Sequence, residues 1–413
     1  MENTKKSAGG YGTKGWLVII YTLILYALSN VQTGIIQVSA PALAEIRHWD
    51  YAAIMSLVTY GGWIGIPVTF AFAQLVKVKG VRWPTVIAML VYGVSMMLHG
   101  SASWMGYVTA AIVLSAVSNT INMVSPNTLI ANWFPRKKGS VLGIATAGMM
   151  ASSIFTTPVF AALTNNGGIE FAFNAFGIVL IIFGIITFFV HNTPQEAGTY
   201  PDNDPNFTAT ASELQSQFQG WSIGQLLAEK NFWFMTIGFG LGFFALVGSV
   251  STLVPTCMQL GMDQPAAIRV NMFCGVCAVI GSVLLGFLDQ AKGTKLATNI
   301  YAVGMLAGML MRSVGSRSTA VFVTGVMVFG FFQGALANLM ISMTIQKFGA
   351  RSYPGVNRIM SPLVVAIRMS SFLAIGAVVA ASGYVAAGWM LCGVLAVSLL
   401  LLFAIDPTAK HVP

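Results

Sequence analysis

Charged residues are scarce in this chain of 413 residues. They make up 8% of it, whereas 56% of the residues are hydrophobic and the mean hydropathy is +0.77. A soluble domain carries about 25% charged residues. The core of a soluble protein of this length cannot bury so much apolar surface, so we expect much of the surface to face lipid. The scarcity of charge therefore argues against a soluble enzyme.

Segments of alternating polarity, which membrane-spanning strands require, are missing as well. Residues 178–190 and 394–405 are typical of the chain, because they are continuously apolar. In lipid, backbone polar groups must pair within helices or within a closed barrel. A spanning helix needs roughly 20 apolar residues, and such stretches recur along the whole sequence. The pattern therefore predicts an all-α membrane protein.

Residues that could form a catalytic or metal site are also few. Of the four cysteines, Cys274 and Cys277 have redox or zinc spacing, but they lie in an apolar stretch without a second pair or a nearby histidine. We interpret them as small residues at a helix interface. No Ser/His, His/Glu or metal constellation occurs in the apolar stretches, so the sequence predicts neither an enzyme nor a cofactor.

About twelve apolar stretches are long enough to span a membrane. Their approximate limits are 16–40, 51–76, 84–101, 104–130, 139–163, 170–190, 232–256, 265–288, 296–312, 319–345, 357–382 and 388–405. One long polar segment divides them six and six. We therefore predict an N-terminal six-helix bundle over 1–192, a central cytoplasmic loop over 193–230 and a C-terminal six-helix bundle over 231–413.

Lysine and arginine are distributed unevenly between the predicted spans. With the N-terminus inside, the cytoplasmic segments contain Lys5, Lys6, Lys14, Lys77, Lys79, Arg82, Arg136, Lys137, Lys138, Lys230, Lys292, Lys295, Lys347, Arg351, Arg358 and Lys410. The outer loops contain Arg47, Arg269, Arg312 and Arg317. This asymmetry predicts a multi-pass protein of the cell membrane with both termini cytoplasmic. Because the bases lie in short clusters between spans, the net charge of +9 does not indicate a nucleic-acid partner.

A basic turn recurs in the two halves of the chain. Residues 73–82 read Ala-Gln-Leu-Val-Lys-Val-Lys-Gly-Val-Arg, and residues 286–295 read Gly-Phe-Leu-Asp-Gln-Ala-Lys-Gly-Thr-Lys. Glycine and the final base occupy the same places, which favours two parallel repeats. The frame resembles the loop signature of the major facilitator superfamily, Gly-x-x-x-Asp-Arg-x-Gly-Arg-Lys. Lys77 replaces the acid of the first copy, and Asp289 lies one place early in the second. The resemblance implies the major facilitator fold of twelve helices in two bundles.

Three further stretches resemble one branch of that superfamily, the oxalate:formate antiporters and monocarboxylate porters. They are Asn132-Trp-Phe-Pro-Arg-Lys-Lys-Gly139 with Gly143 and Thr146-Ala-Gly148, then Thr193-Pro-Gln-Glu-Ala-Gly198 with Tyr200-Pro-Asp202, and then Phe232-Trp233. The resemblance implies a transmembrane transporter of small organic anions. It also implies a basic residue in span 11 that binds the substrate carboxylate. The branch has a second base in span 8, where this chain has Ser282, and one cavity base suits a monoanion.

Arg368 is the basic residue that the charge pattern does not explain. It lies about 16 Å into span 11, if that span begins near Asn357. A charge at this depth costs several kcal/mol, and arginine cannot lose its charge by deprotonation. Since no Asp or Glu lies deep inside a span, we expect Arg368 to bind an anionic ligand or a ring of carbonyl and amide groups. Snorkelling to the interface is the alternative.

Amide side chains accumulate in spans 1, 4 and 10. We select Asn30, Gln32, Asn119, Asn122 and Gln333 as candidate ligands for a carboxylate or hydroxyl group. The alternative is hydrogen bonding between helices, which contributes about 0.6 kcal/mol on average.

Three hypotheses follow. The first is an alternating-access transporter of a small organic anion, a monocarboxylate, that works by exchange or facilitated uptake as a monomer in the lipid bilayer. The second is a carrier of a neutral or larger amphipathic solute, in which Arg368 is structural. The third is a membrane sensor that kept the fold but lost transport. The missing deep carboxylate disfavours proton coupling through an acidic side chain.

Overall fold

The computed structural model describes residues 10–100, 103–205, 221–315, 318–349 and 352–408. Within these ranges the regular structure consists of α-helices and one 3-10 turn at Pro201–Asn203. The all-α prediction is therefore confirmed. Residues that the sequence analysis used and that lie outside the described ranges are Lys5, Lys6, Arg317, Arg351, Lys410 and the loop positions 206–220.

The helices follow the predicted spans closely. In chain order they are α1 (Gly12–Ser29), α2 (Val31–Arg47), α3 (Tyr51–Lys79), α4 (Arg82–His99), α5 (Trp104–Trp133), α6 (Lys138–Thr187), α7 (Ile223–Ala228), α8 (Lys230–Gln259), α9 (Gln264–Lys292), α10 (Thr294–Val314), α11 (Thr319–Gln333), α12 (Leu336–Phe348) and α13 (Tyr353–Phe403). The short α7 begins with a capping box, in which Ser222 and Gln225 bond to each other's backbone.

Glycines divide the two longest helices. Gly168 in α6 has a φ of 83°, and Gly383 in α13 has a φ of 79°. A side chain is strained in this left-handed region, so glycine is the residue that allows the chain to turn there. Each of these helices therefore consists of two, which meet where the sequence predicts the turns between spans 5 and 6 and between spans 11 and 12.

Two predicted spans are interrupted. Asn30 separates α1 from α2 with φ of −104° and ψ of 4°, and residues 334–335 separate α11 from α12. Interrupted helices are frequent at the binding sites of transporters, because the freed backbone groups can contact a ligand. Both interruptions adjoin residues that the sequence analysis selected, Asn30 itself and Gln333.

Eight segments of the described residues are long and apolar enough to cross a membrane. They are Gly12–Arg47, Tyr51–Lys79, Trp104–Trp133, Val141–Thr187, Lys230–Gln259, Gln264–Lys292, Thr319–Phe348 and Gly355–Phe403. In addition, α4 and α10 coincide with the predicted spans 3 and 9. The protein is a multi-pass membrane protein, whereas the count of twelve crossings stays a prediction.

The chain forms two compact units. The first comprises Met1–Gln32, Ile64–Ser152 and Phe160–Ala209, and the second comprises Thr33–Trp63, Ser153–Val159 and Thr210–Pro413. Parts of predicted spans 1, 2 and 5 thus pack with the C-terminal helices. The predicted division into bundles over 1–192 and 231–413 stays a prediction.

Small residues allow close helix packing in both units. In the first, a Cβ at Gly148 of α6 would collide with the backbone carbonyl of Leu23 in α1. In the second, a Cβ at Gly281 of α9 would collide with the carbonyl of Phe331 in α11. Close backbone approach at small residues is the usual way in which helices associate in lipid.

Candidate functional site

One side of the helix that carries Arg368 packs against α8. A Cβ at Gly240 would lie 2.8 Å from Ile367 Cδ1, so the two helices approach closely at this contact. One turn further along α13, the Ser371 hydroxyl donates a hydrogen bond of 2.8 Å to the Phe244 carbonyl. Together these contacts fix the rotation of α13 around its own axis.

A second side of α13 packs against residues 51–63 of α3. Trp63 Nε1 donates to the Ala366 carbonyl at 3.2 Å. The Thr59 hydroxyl donates to the Met369 carbonyl at 2.6 Å and accepts from the Leu373 N–H at 2.9 Å. In an undisturbed helix the carbonyl of 369 and the N–H of 373 bond to each other. The Thr59 side chain therefore lies within the hydrogen-bond ladder of α13, one residue after Arg368.

Arg368 projects from a third side of α13. Successive helical residues are rotated by about 100°, so residues 367 and 371 face α8, residues 366, 369 and 373 face α3, and residue 368 lies between these faces. The Arg368 side chain is half-buried. The whole of α13 contains no Asp or Glu. A permanent cation is thus held in the middle of a long apolar helix whose orientation is fixed by two neighbours.

Three of the candidate amides form one cluster in the first unit. Gln32 Nε2 donates to the Ser115 hydroxyl at 2.6 Å, and Asn119 Nδ2 donates to the Ser115 carbonyl at 2.8 Å. Asn122 Nδ2 donates to the Ser29 hydroxyl at 3.0 Å. We call Gln32, Asn119 and Asn122 the amide cluster. It connects the α1–α2 interruption to α5.

Asn30 occupies the interruption itself. Its backbone N–H bonds to the Ala27 carbonyl at 3.2 Å, and its Nδ2 donates to the Met149 carbonyl of α6 at 3.5 Å. Asn30 and the amide cluster therefore make bonds within and between helices, which is the alternative to ligand binding that the sequence left open. These bonds use N–H donors and do not exclude contact with a ligand.

Gln333 lies in the second unit at the last residue of α11. Its Nε2 donates to Cys274 Sγ at 3.4 Å, and its buried Oε1 has no hydrogen-bond partner among the described residues. The contact shows Cys274 at a helix interface, as the sequence analysis interpreted it. The six candidates are thus divided, with Asn30 and the amide cluster in one unit and Arg368 and Gln333 in the other.

Arg312 was placed in an outer loop by the charge pattern, and this is wrong. It lies inside α10 with 4% of its surface exposed. Its guanidinium donates to the carbonyl and hydroxyl of Ser249, to Thr252 Oγ1 at 3.1 Å and to Thr256 Oγ1 at 3.4 Å. These three residues recur at i, i+3 and i+7 on one face of α8. That spacing is the signal by which the sequence could have indicated a buried polar contact.

The loop motifs of the branch resemblance meet at one end of the first unit. The Asp202 carboxylate accepts from the backbone N–H groups of Arg136 at 2.9 Å and Lys137 at 3.0 Å. Arg136 also forms an ion pair of 3.7 Å with Asp204. Trp133 Nε1 donates to the His191 carbonyl at 3.2 Å. We call this contact the loop clasp, because it fastens the start of the central loop to the α5–α6 turn.

The basic turn after α3 adjoins the loop clasp. Gly80 has a φ of 78°, and a Cβ there would lie 2.8 Å from the Asn192 side chain. Asn192 Oδ1 accepts from the Arg82 N–H at 2.8 Å. The glycine of the repeated frame is therefore needed both for its backbone conformation and for the close approach of Asn192.

Apolar helices, interrupted spans and buried polar side chains that are held by helix contacts are typical of a membrane transporter. Comparison with known proteins agrees. The chain matches the Major Facilitator Superfamily over residues 22–367 and belongs to that family. It is also 24% identical, over 339 residues, to the MFS-type transporter pynF of Aspergillus niger, a match that covers 79% of this chain and 72% of that protein.

Proposed function

We propose that this protein is a secondary transporter that moves a small organic anion, a monocarboxylate, through the membrane by alternating access. Exchange and facilitated uptake are both compatible with the site. Membership of the superfamily supports the mode of transport. The substrate class is inferred from Arg368, which is a permanent cation in the middle of a helix that contains no Asp or Glu.

The physics of this position favours an anion. In a medium of low dielectric constant, opposite charges attract far more strongly than in water. A guanidinium can also hold a carboxylate by two parallel hydrogen bonds, which fixes the orientation of the ligand. Because α8 and residues 51–63 fix the rotation of α13, the Arg368 side chain is presented in a defined direction, and this reduces the entropic cost of binding.

The amides supply the secondary contacts in this proposal. Gln333 Oε1 is buried and can accept a hydrogen bond from a hydroxyl group of the substrate. In the proposal, the side-chain amides of Asn30 and the amide cluster also face the substrate, while the N–H groups of Asn30, Gln32 and Asn122 bond to neighbouring helices. Replacing any one of them should raise the KM of transport more than it lowers the maximum rate, since uniform binding is lost.

The proposal places the protein in the cell membrane as a monomer with both termini cytoplasmic. The asymmetric distribution of lysine and arginine supports this orientation. Labelling of single cysteines from outside intact cells tests it. Residues Lys14 and Thr408 should be protected when each is replaced by cysteine, whereas a cysteine at the exposed position Arg269 should react. Reaction at either terminal position would overturn the orientation.

Substrate exchange in proteoliposomes tests the role of Arg368. Wild-type protein is screened with radiolabelled monocarboxylates, and the best substrate is then used with three variants. Arg368→Gln keeps donors but removes the charge, so exchange should be lost. Arg368→Lys keeps the charge without the guanidinium geometry, so exchange should persist with weaker binding. Arg358→Gln is the matched control, because Arg358 is an exposed arginine of the same helix.

Normal exchange by Arg368→Gln would overturn the anion proposal. Transport that is independent of membrane potential and of salt would then favour a neutral solute. If Arg368→Gln does not reach the membrane, carboxylate binding to the detergent-purified Arg368→Lys protein decides, and unchanged affinity in that variant would count against the proposal.

A further inference from the structure

The two basic turns of the chain differ in how their charges are balanced. The first, residues 73–82, contains three bases and no Asp or Glu. The second, residues 286–295, contains two bases and one acid, Asp289. In the second turn the Lys295 Nζ also donates to two carbonyls at the end of α13, at 2.7 Å and 3.0 Å. The second turn therefore satisfies much of its own charge, and the first does not.

The bases of the first turn are Lys77, Lys79 and Arg82. Among the residues that the structure describes, none of their side chains makes a hydrogen bond or an ion pair. Lys77 and Lys79 are exposed, whereas Arg82 is half-buried. Its Cζ lies 6.0 Å from the centre of the Phe188 ring, at the outer limit of a cation–π contact. Because a ring face does not use the N–H groups in the guanidinium plane, the donors of Arg82 remain available to an anionic ligand.

The turn that carries these bases is held in one conformation. Gly80 has a positive φ, and Asn192 Oδ1 accepts from the Arg82 N–H at 2.8 Å. The Asn192 carbonyl accepts from Asn132 Nδ2 at 3.2 Å, and the Asn192 N–H donates to the Glu196 carboxylate at 2.9 Å. The acid of this network therefore binds an asparagine and not a base. A set of bases that is already ordered loses less entropy when it binds a ligand.

The first turn also reaches the surface of the membrane. The helix before it, α3, comprises 29 residues, which corresponds to about 44 Å. This length exceeds the hydrocarbon thickness of about 30 Å and matches a bilayer with its headgroups. Large apolar side chains adjoin the bases and are exposed, Val78 by 76%, Trp83 by 50% and Phe189 by 73%. Since aromatic residues concentrate at the level of the headgroups, the unbalanced bases lie where a lipid phosphate can reach them.

We propose that the first basic turn binds an anionic phospholipid of the cytoplasmic leaflet, in the orientation proposed above. The lipid phosphate contacts the Arg82 guanidinium, Lys77 and Lys79 add positive charge, and the acyl chains lie along Val78 and Trp83. Clusters of bases at the cytoplasmic end of a spanning helix attract anionic lipids. A lipid fits better than a soluble phosphate, because the bases and the exposed apolar side chains form one patch. The site is independent of the carboxylate site proposed for the substrate.

Lipid titration of the full-length protein in detergent tests the proposal. Wild-type protein is titrated with phosphatidylglycerol or with zwitterionic phosphatidylcholine of the same acyl chains, and native mass spectrometry counts the lipid molecules that stay bound. One phosphatidylglycerol molecule should bind more tightly than phosphatidylcholine, by about tenfold or more. An excess of inorganic phosphate should not displace it. Equal binding of the two lipids, or displacement by inorganic phosphate alone, would overturn the proposal.

Three variants locate the lipid. Arg82→Gln and Lys79→Gln should each lower the affinity for phosphatidylglycerol about fivefold and leave that for phosphatidylcholine unchanged. Lys292→Gln is the matched control, because Lys292 is the exposed base at the place in the second turn that corresponds to Lys79. Wild-type affinity in Arg82→Gln would refute the assignment. An equal loss in Lys292→Gln would refute it as well, since binding would then follow the net charge. If Arg82→Gln does not fold, the exposed position Lys79 decides, and wild-type affinity in Lys79→Gln would overturn the proposal.

Discussion

The hydroxyl of Thr59 offers a sharp test of the contact between α3 and α13. Thr59 is fully buried, and its hydroxyl bonds both to the Met369 carbonyl and to the Leu373 N–H. Thr59→Val keeps the shape of the side chain but removes the hydroxyl. The substitution therefore acts on these two hydrogen bonds and leaves the packing almost unchanged.

The size of the effect follows from counting these bonds. A typical hydrogen bond contributes about 0.5–1.5 kcal/mol net, and Thr59→Val removes two. However, the freed carbonyl of Met369 and N–H of Leu373 can then bond to each other within the helix, which restores one. The net loss is about one hydrogen bond, or ~1 kcal/mol. Since 1.4 kcal/mol corresponds to a factor of ten, the population in which α3 and α13 separate should rise about fivefold.

Cysteine labelling can measure that population. Met55 is fully buried, and its Cβ would lie 2.9 Å from a Cβ added at Gly376 of α13. In a protein whose four native cysteines are replaced, Met55→Cys should react slowly with a thiol reagent. Adding Thr59→Val should accelerate the reaction about fivefold, because opening precedes labelling. Thr109→Val is the matched control, since Thr109 is exposed and its hydroxyl bonds only within its own helix, to Met105.

An unchanged labelling rate in Thr59→Val would refute the reasoning, because it would show that these bonds do not hold the two segments together. Equal acceleration by Thr109→Val would refute it too, since the effect would then be a general loosening of the helices. A slower reaction would mean that the restored helical bond in α13 strengthens the contact instead of weakening it.

Three further predictions concern packing, the loop clasp and coupling. Gly148→Ala should lower the free energy of unfolding by about 1–3 kcal/mol, because the added Cβ clashes with the Leu23 carbonyl. The unfolding midpoint measures this loss. Gly143→Ala is the control and should leave the midpoint unchanged, because nothing lies within 4 Å of a Cβ at that position. Asp202→Asn should lower the free energy of unfolding by about 1–2 kcal/mol, because it removes the negative charge of the carboxylate that accepts hydrogen bonds from the backbone N–H groups of Arg136 and Lys137. An unchanged unfolding midpoint would show that the loop clasp does not stabilise the protein. Homo-exchange of the substrate should persist in ionophore-treated proteoliposomes at symmetric pH, since no carboxylate lies deep in a predicted span, and abolished exchange would count against this view of coupling.

The helices were predictable from the sequence because lipid imposes a simple requirement on length and polarity. The apolar stretches predict the spans. The turns at Gly168 and Gly383 have a positive φ, a backbone conformation that glycine adopts without strain. The interruptions at Asn30 and at residues 334–335 were not predicted. At both, a backbone N–H bonds to the carbonyl three residues back, Asn30 to Ala27 and Ala335 to Phe332. The Asn30 side chain also bonds to the Met149 carbonyl of another helix, and a local sequence pattern does not show such a contact.

The candidate site was predictable only in part. Arg368 stood out because a charge in mid-span has no local explanation. Arg312 was assigned to an outer loop because the predicted span 9 ends at this residue, and a base at the end of a span normally reaches water. Its burial depends on hydroxyls of α8 that come together with it only in the folded protein. For the same reason the sequence could not decide between ligand binding and helix bonding for Gln32 and Asn122.

The surroundings of Arg312 also bear on how the chain enters the membrane. A helix that carries an arginine inserts poorly on its own. Chains are synthesised from the N-terminus, so α8 with its Ser249, Thr252 and Thr256 hydroxyls is made before α10 arrives. The polar face that accepts the guanidinium is therefore already available when Arg312 leaves the ribosome. The order of the helices along the chain thus allows α10, with its arginine, to insert next to α8 after α8 has already been made.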